Sequence, residues 1–395
     1  MAPDPGIINP VFRSDTRRSS FIPVRGDLPD EVLWHAPLEQ IELSFGPLWL
    51  ALRSDMLIAG NHKEIVAVQA ENGALRWKEP VRLTFTFMCN DEGVLVSSFA
   101  EWRQYDSSQN VSQSHPERRS RSLELLYGRG SSEKSLYFVS APDYSLLTTF
   151  HFGDQGYWYG YFKTKKPLPR GRKINYWFQF NRHTYGRESP DWYYRAAGRS
   201  LGSLYDPAGN IFYIVMPDHI HYFPPEATSE DEVKQFDVPG IETFALDHRG
   251  NLLLVVREEK GFLLKQFSGS GQEQWSVPLT GLAPGLMTKS GLTRLPPASS
   301  PRGTVYCPEP KGVVAVEEGE VKWRRELSAG TAPMHITVLA DNSLLVGSVN
   351  MLHAVDTKGT ITKSVTLPSV ISCRPIMDTQ GRVFVGGEDG VRCLQ

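Results

Sequence analysis

The chain has 395 residues, 40% of them hydrophobic, enough to bury a large core, with 34 Gly and 28 Pro to serve many turns. A formal net charge of -2 lacks the basic excess of a general nucleic-acid or membrane-surface binder, so neither is expected as a partner. Cys89, Cys307, Cys373 and Cys393 are scattered with no C-x-x-C pair, which argues against a zinc knuckle or redox motif and reads as free thiols in a reducing compartment.

From the N-terminus, residues 1–28 are rich in Pro, Arg, Ser and Asp and read as an extended arm, with Phe12, Phe21 and Ile22 as points of adhesion. The first residues show no basic stretch followed by an apolar one, and no later run reaches membrane-spanning length, so a cytoplasmic protein is expected. The first strongly patterned unit is 65–77. An apolar strand runs from Ile65 to Val68, a polar turn ends in Gly73, and a second strand carries Trp77 four residues after that Gly. The same offset joins Gly271 to Trp275 and Gly319 to Trp323, each after an apolar run, while 352–359 is a weaker copy that ends in Gly359 and lacks the Trp. Hairpin signals, a turn followed by a β-rich run, stand at 91–96, 206–213, 247–254, 341–347 and 378–386. No segment has convincing helical periodicity.

Units of roughly forty residues with about four short strands each predict a β-propeller. The last unit, 370–395, holds three strands and no Trp strand. The missing piece stands near the other end, where Trp34 follows Asp30 at the same spacing, so residues 31–36 are expected to complete the last blade and hide a sheet edge.

These units resemble quinoprotein-type (PQQ-like) repeats, in which the strand, the Gly turn and the Trp together dock one blade on the next. The resemblance implies an all-β fold, a single β-propeller of seven or eight four-stranded blades over residues 29–395, with the last blade closed by an N-terminal strand. It stops short of the quinoprotein enzymes' chemistry. There is no adjacent Cys pair and no matching ligand motif, so PQQ and calcium are not expected and no cofactor is predicted.

Two stretches depart from the repeat. Residues 101–133 turn polar and charged within the second unit and read as an insertion loop, after which the blade resumes at 136–140 and 146–150. Residues 156–198 crowd aromatics, among them Trp158, Trp177 and Trp192, between Lys and Arg residues. The preferred reading is a divergent blade, which brings the count to eight; the alternative is an inserted hairpin whose aromatics and cations line a ligand or partner surface.

Propellers bind at the central channel, where the innermost strands converge. Aligning the units on their turns places Thr86, Gly202, Thr243, His335 and Arg374 at one depth near the start of each inner strand, with Phe85, Leu201, Glu242, Met334 and Cys373 one step earlier. His335 as base, Glu242 as carboxylate and Arg374 as anion clamp would then converge on one mouth, with Thr86, Thr243 and Cys373 beside them; a structural ion-pair belt is the competing account. His219 and His221 lie on one face of a strand, a chelating spacing with no third ligand in the sequence nearby, and are expected to be structural or exposed. No phosphate loop, dinucleotide fingerprint, nucleophile elbow or zinc-hydrolase motif occurs. A non-catalytic monomer that binds a protein partner is the first functional expectation. The second is a cofactor-independent enzyme of lyase, cyclase or hydrolase type, acting on a small molecule in the channel.

Overall fold

The computed structural model describes residues 7–8, 20–38, 49–53, 55–60, 64–80, 86–90, 93–97, 102–105, 112–113, 136–140, 145–152, 156–163, 178–180, 183–185, 201–206, 211–223, 232–288, 291–327 and 334–395. Among them every regular element is a β-strand, and the strands pair antiparallel as meanders in chain order. Four-stranded sheets run from Gly202 to Asp237, Ile241 to Leu279, Ala298 to Glu326 and Met334 to Thr366. A further sheet takes Ile376–Met377, Val383–Gly387 and Gly390–Leu394 and receives Val32–Pro37 as its outer strand, with Trp34 opposite Cys393. The expected closure by an N-terminal strand is therefore present.

The first blade holds Trp49–Arg53, Met56–Gly60, Glu64–Gln69 and Leu75–Pro80, and Ile7–Ile8 adds a fifth strand on its inner edge. Next, Thr86–Asn90, Gly93–Ser97, Trp102–Tyr105 and Ser112–Gln113 form a sheet of their own, so two strands lie inside the stretch read as an insertion; the remainder of 101–133 lies outside the described residues. Leu136–Ser140 pairs with Ser145–Phe152, which pairs in turn with the first aromatic strand, Gly156–Lys163, in a sheet separate from the 86–97 hairpin. Phe178–Phe180 and His183–Tyr185 make a separate two-stranded sheet, and on these two sheets the choice between seven and eight blades turns.

Burial follows the radial order of the strands. The second strand of each regular sheet is buried along most or all of its length, as in Leu344–Ser348 and Val383–Gly387, while outer strands such as Glu320–Glu326 are mostly exposed. The apolar side chains gather between sheets: one cluster joins the 202–237 and 241–279 sheets, another the 241–279 and 298–326 sheets, a third the 298–326 and 334–366 sheets. Neither face of a blade is covered until its neighbour is in place, which makes each joint a unit of stability.

The recurring Gly and Trp build those joints. Trp275 packs on Gly319 of the next blade, Trp323 on Gly359 and Trp34 on Gly73; a Cβ added to these glycines would stand 2.8, 2.6 and 2.8 Å from the ring or its stem. All three glycines have positive φ, 82°, 79° and 71°, so the turn and the close ring contact both require the missing side chain. The indole N–H groups of Trp34 and Trp323 donate to Ala70 O at 3.1 Å and Thr357 O at 3.0 Å. Phe236 replaces Trp on Gly271, with the added Cβ 2.7 Å from its ring. At the joint between the 334–366 sheet and the closing blade both partners change. Lys363 stands at the Trp position, Asp30 at the Gly position, and their charged groups meet at 2.7 Å.

The arm binds the same arc of the ring. Phe21 bridges Val338 in parallel, Ile22 N–H donates to Val338 O at 2.8 Å, Val338 N–H to Ser20 O at 2.9 Å and Ala340 N–H to Val24 O at 2.8 Å. Ile22 and Leu28 enter the apolar cluster shared by the closing and first blades. This strap pairs at the end of the inner edge of Met334–Val338, at Val338 and Ala340, whose backbone groups would otherwise lack those partners.

Candidate ligand site at the start of the inner strands

The neighbours of each expected residue decide what it can do; Thr243 and His335 lie within inner strands, and Cys373 and Arg374 precede Ile376–Met377. His335 is the second residue of Met334–Val338, opposite Gly347, and only 4% exposed. Burial, with the Arg374 guanidinium adding to it, pushes its imidazole down to about 4, so the ring is neutral at physiological pH. Its Nε2 makes no hydrogen bond to another protein group. His335 and Arg374 are thus brought within electrostatic reach of each other across two adjacent blades.

Glu242 is directed elsewhere. The strand Ile241–Leu246 shifts register against its partner between Ile241 and Thr243, leaving Glu242 as the extra residue. A bulge re-aims its side chain. The carboxylate takes Arg257 Nε at 2.8 Å and Nη2 at 2.7 Å, and Arg294 Nε lies 3.7 Å from its other oxygen. Arg294 in turn donates from Nη1 to Ala283 O at 3.2 Å. Both arginines were missed from sequence because the bulge and the 291–294 connection bring them there. Thr243 is buried, its hydroxyl 3.5 Å from Arg294 O.

Cys373, next to Arg374, is buried, with its thiol pushed up to about 12 by burial and its sulfur 4.0 Å from Gly386 O. A thiol so held stays protonated and is not a nucleophile at neutral pH. Thr86 opens Thr86–Asn90 and pairs with Ser97, and Trp158 lies in Gly156–Lys163 opposite Phe150; Trp177 and Trp192 lie outside the described residues.

Other buried polar groups, which the alignment did not nominate, stand on the same two blades. Ser348 faces Met334, and Ile371 N–H donates to Val349 O at 2.6 Å, which ties the start of the closing blade to the turn after Ser348. Ser372 N–H donates to Gly386 O at 2.9 Å, two residues before Glu388. Ser348 Oγ, Ser372 Oγ and Glu388 Oε1 share with His335 Nε2 the property of being buried without a hydrogen bond from the protein. Buried polar atoms are satisfied in nearly all native folds, so each of these positions is suited to a polar guest. Among the described residues no group of three His, Cys, Asp or Glu is arranged to hold a metal ion, and no helix is long and apolar enough to cross a membrane.

No protein family and no curated protein matches the chain. Among solved structures, BamB from Moraxella catarrhalis aligns with a TM-score of 0.53 at 14% identity, over 92% of this chain and 97% of that one. Hsv2 from Kluyvelomyces marxianus aligns with a TM-score of 0.47 at 11% identity, over 80% of this chain and 96% of that one. The likeness to BamB is one of fold, and with the Gly and Trp joints it shows the chain to have an all-β propeller fold that resembles the PQQ-like repeats at the level of fold.

Proposed function

We propose that the chain is a non-catalytic, monomeric, cytoplasmic propeller that binds a protein partner along its outer strands and needs no cofactor. The observation that carries this reading is an arc of exposed apolar side chains at one repeated position, two residues past the turn. Val321, Ile361, Val32 and Leu75 hold it in four consecutive blades, exposed by 39, 37, 45 and 61%, with Leu33 at 48% beside them. In the 241–279 blade the same position is Glu273, so the arc has an end. Single apolar residues on a surface need no explanation, but four at the same place in adjacent repeats form an edge that a partner would cover.

The catalytic alternative draws less support. Its carboxylate is engaged by Arg257 and Arg294, and its imidazole is neutral and buried, so no poised acid and base face each other. The buried Nε2 of His335, which no protein group bonds, favours a second reading, a small polar ligand held without chemistry.

The test is affinity purification from the source cells with the wild-type chain and a Leu75→Glu, Val321→Glu, Ile361→Glu variant whose circular dichroism matches wild type. A stoichiometric polypeptide retained by the first and lost by the second is expected. Equal retention by both, or self-association of the purified chain in light scattering, would overturn it.

A further inference from the structure

The strand His219–Phe223 carries His219 and His221 on one face. Its partner strand Lys234–Asp237 sets Asp237 opposite His219 and Gln235 opposite His221, so all four side chains share that face. The reverse face, with Ile220 and Phe236, packs in the apolar cluster against the 241–279 sheet.

Asp218 fixes the tautomer of the first ring. Its carboxylate can only accept, and it lies 2.7 Å from His219 Nδ1, so that nitrogen carries the proton and Nε2 presents a lone pair. This Nε2 stands 3.2 Å from His221 Nε2, the rings meeting nearly at right angles, 85°. Two nitrogens on a tetrahedral ion with bonds of about 2.0 Å are separated by about 3.3 Å. The imidazoles are therefore already at chelating separation, on a side chain, His219, that is 22% exposed to solvent. Asp237 holds only a 3.4 Å contact from Gln235 Nε2, exposed and readily given up.

We propose that His219 Nε2 and His221 Nε2 chelate a borderline divalent transition-metal ion (zinc, nickel or copper), with the Asp237 carboxylate turning in from the neighbouring strand as the third ligand. Asp218 is the outer partner that orients His219, and water completes the coordination. The donor set, two imidazoles and a carboxylate, suits these ions over magnesium or calcium.

Calorimetric titration of the full chain with zinc, nickel and copper chlorides, each alone, tests it. One ion per chain is expected, copper binding tightest, as the intrinsic order of divalent affinities requires. His219→Gln, at the exposed member of the pair, should abolish binding without unfolding the sheet, and Asp237→Asn should weaken it roughly tenfold. Copper should also give a visible absorption band that saturates at one equivalent and disappears in His219→Gln. No saturable binding, or binding unchanged in His219→Gln, would show the two rings to be joined by an N–H to N hydrogen bond and nothing more.

Discussion

Replacing Gly359 by Ala puts the account of the blade joints at risk. Gly359 adopts φ of 79°, where an L-residue costs about 1–2 kcal/mol more than Gly. The new methyl would also stand 2.6 Å from Trp323 Cδ2 and 2.9 Å from its Cε3 and Cγ. Trp323 cannot simply withdraw, because its indole N–H is bonded to Thr357 O and its ring lies 5.9 Å from Tyr306. Overpacking of that kind costs about 1–3 kcal/mol. The two together predict a loss of about 2–5 kcal/mol, read as a lowered urea midpoint at constant slope. A double-mutant cycle separates them. In a Trp323→Ala background the clash is gone and Gly359→Ala should cost only the backbone strain, giving a coupling of about 1–3 kcal/mol. A single-mutant cost below about 1 kcal/mol, or additivity in the cycle, would refute the claim that the Gly turn exists to receive the ring.

The altered joint should behave differently: Lys363→Ala removes an ion pair whose side chains are 33 and 73% exposed, and should cost under about 1 kcal/mol, less in high salt. Trp323→Ala, by contrast, should cost several-fold more in the same urea titration. Ile22→Ala, at a side chain 1% exposed, should cost about 2–4 kcal/mol if the strap is part of the core, and nothing measurable if it is not. His335 falls to about 4 in the folded chain from 6.5 unfolded, so the unfolded state binds the proton more readily. Its contribution is complete above pH 6.5 and is lost as pH falls toward 4, by about 3 kcal/mol in all. His335→Gln should flatten the wild-type stability profile over that window; an unchanged profile would show the ring to be hydrated.

The joints were legible because each writes both its partners at fixed places in the repeat. Gly271, Gly319 and Trp275 follow one spacing, and Asp30 to Trp34 at the far end keeps it, so even the closing strand is readable. What escaped depends on geometry between elements. Spacing puts Glu242 at the channel mouth, but the bulge at Ile241 and Thr243 turns it to Arg257 and Arg294, and no local pattern announces a bulge of this type. The missing Trp after Gly359 is visible in one blade only; that Lys363 meets Asp30 requires knowing that the two blades adjoin. Likewise the His219 and His221 spacing is plain, but the part played by Asp237 follows from strand register.

The closing blade has a consequence in time. Val32–Pro37 is made about 350 residues before its partner Gly390–Leu394. At 5–20 residues per second that is roughly 20–70 s of synthesis during which Trp34 has neither Cys393 beside it nor a finished ring behind Gly73. Among the described strand pairings this one spans the largest sequence separation, the condition under which pairing is slowest. Until it happens the nascent chain presents an unpaired, partly apolar edge, and a chaperone that shields residues 31–37 would raise the yield of closed rings without altering their stability.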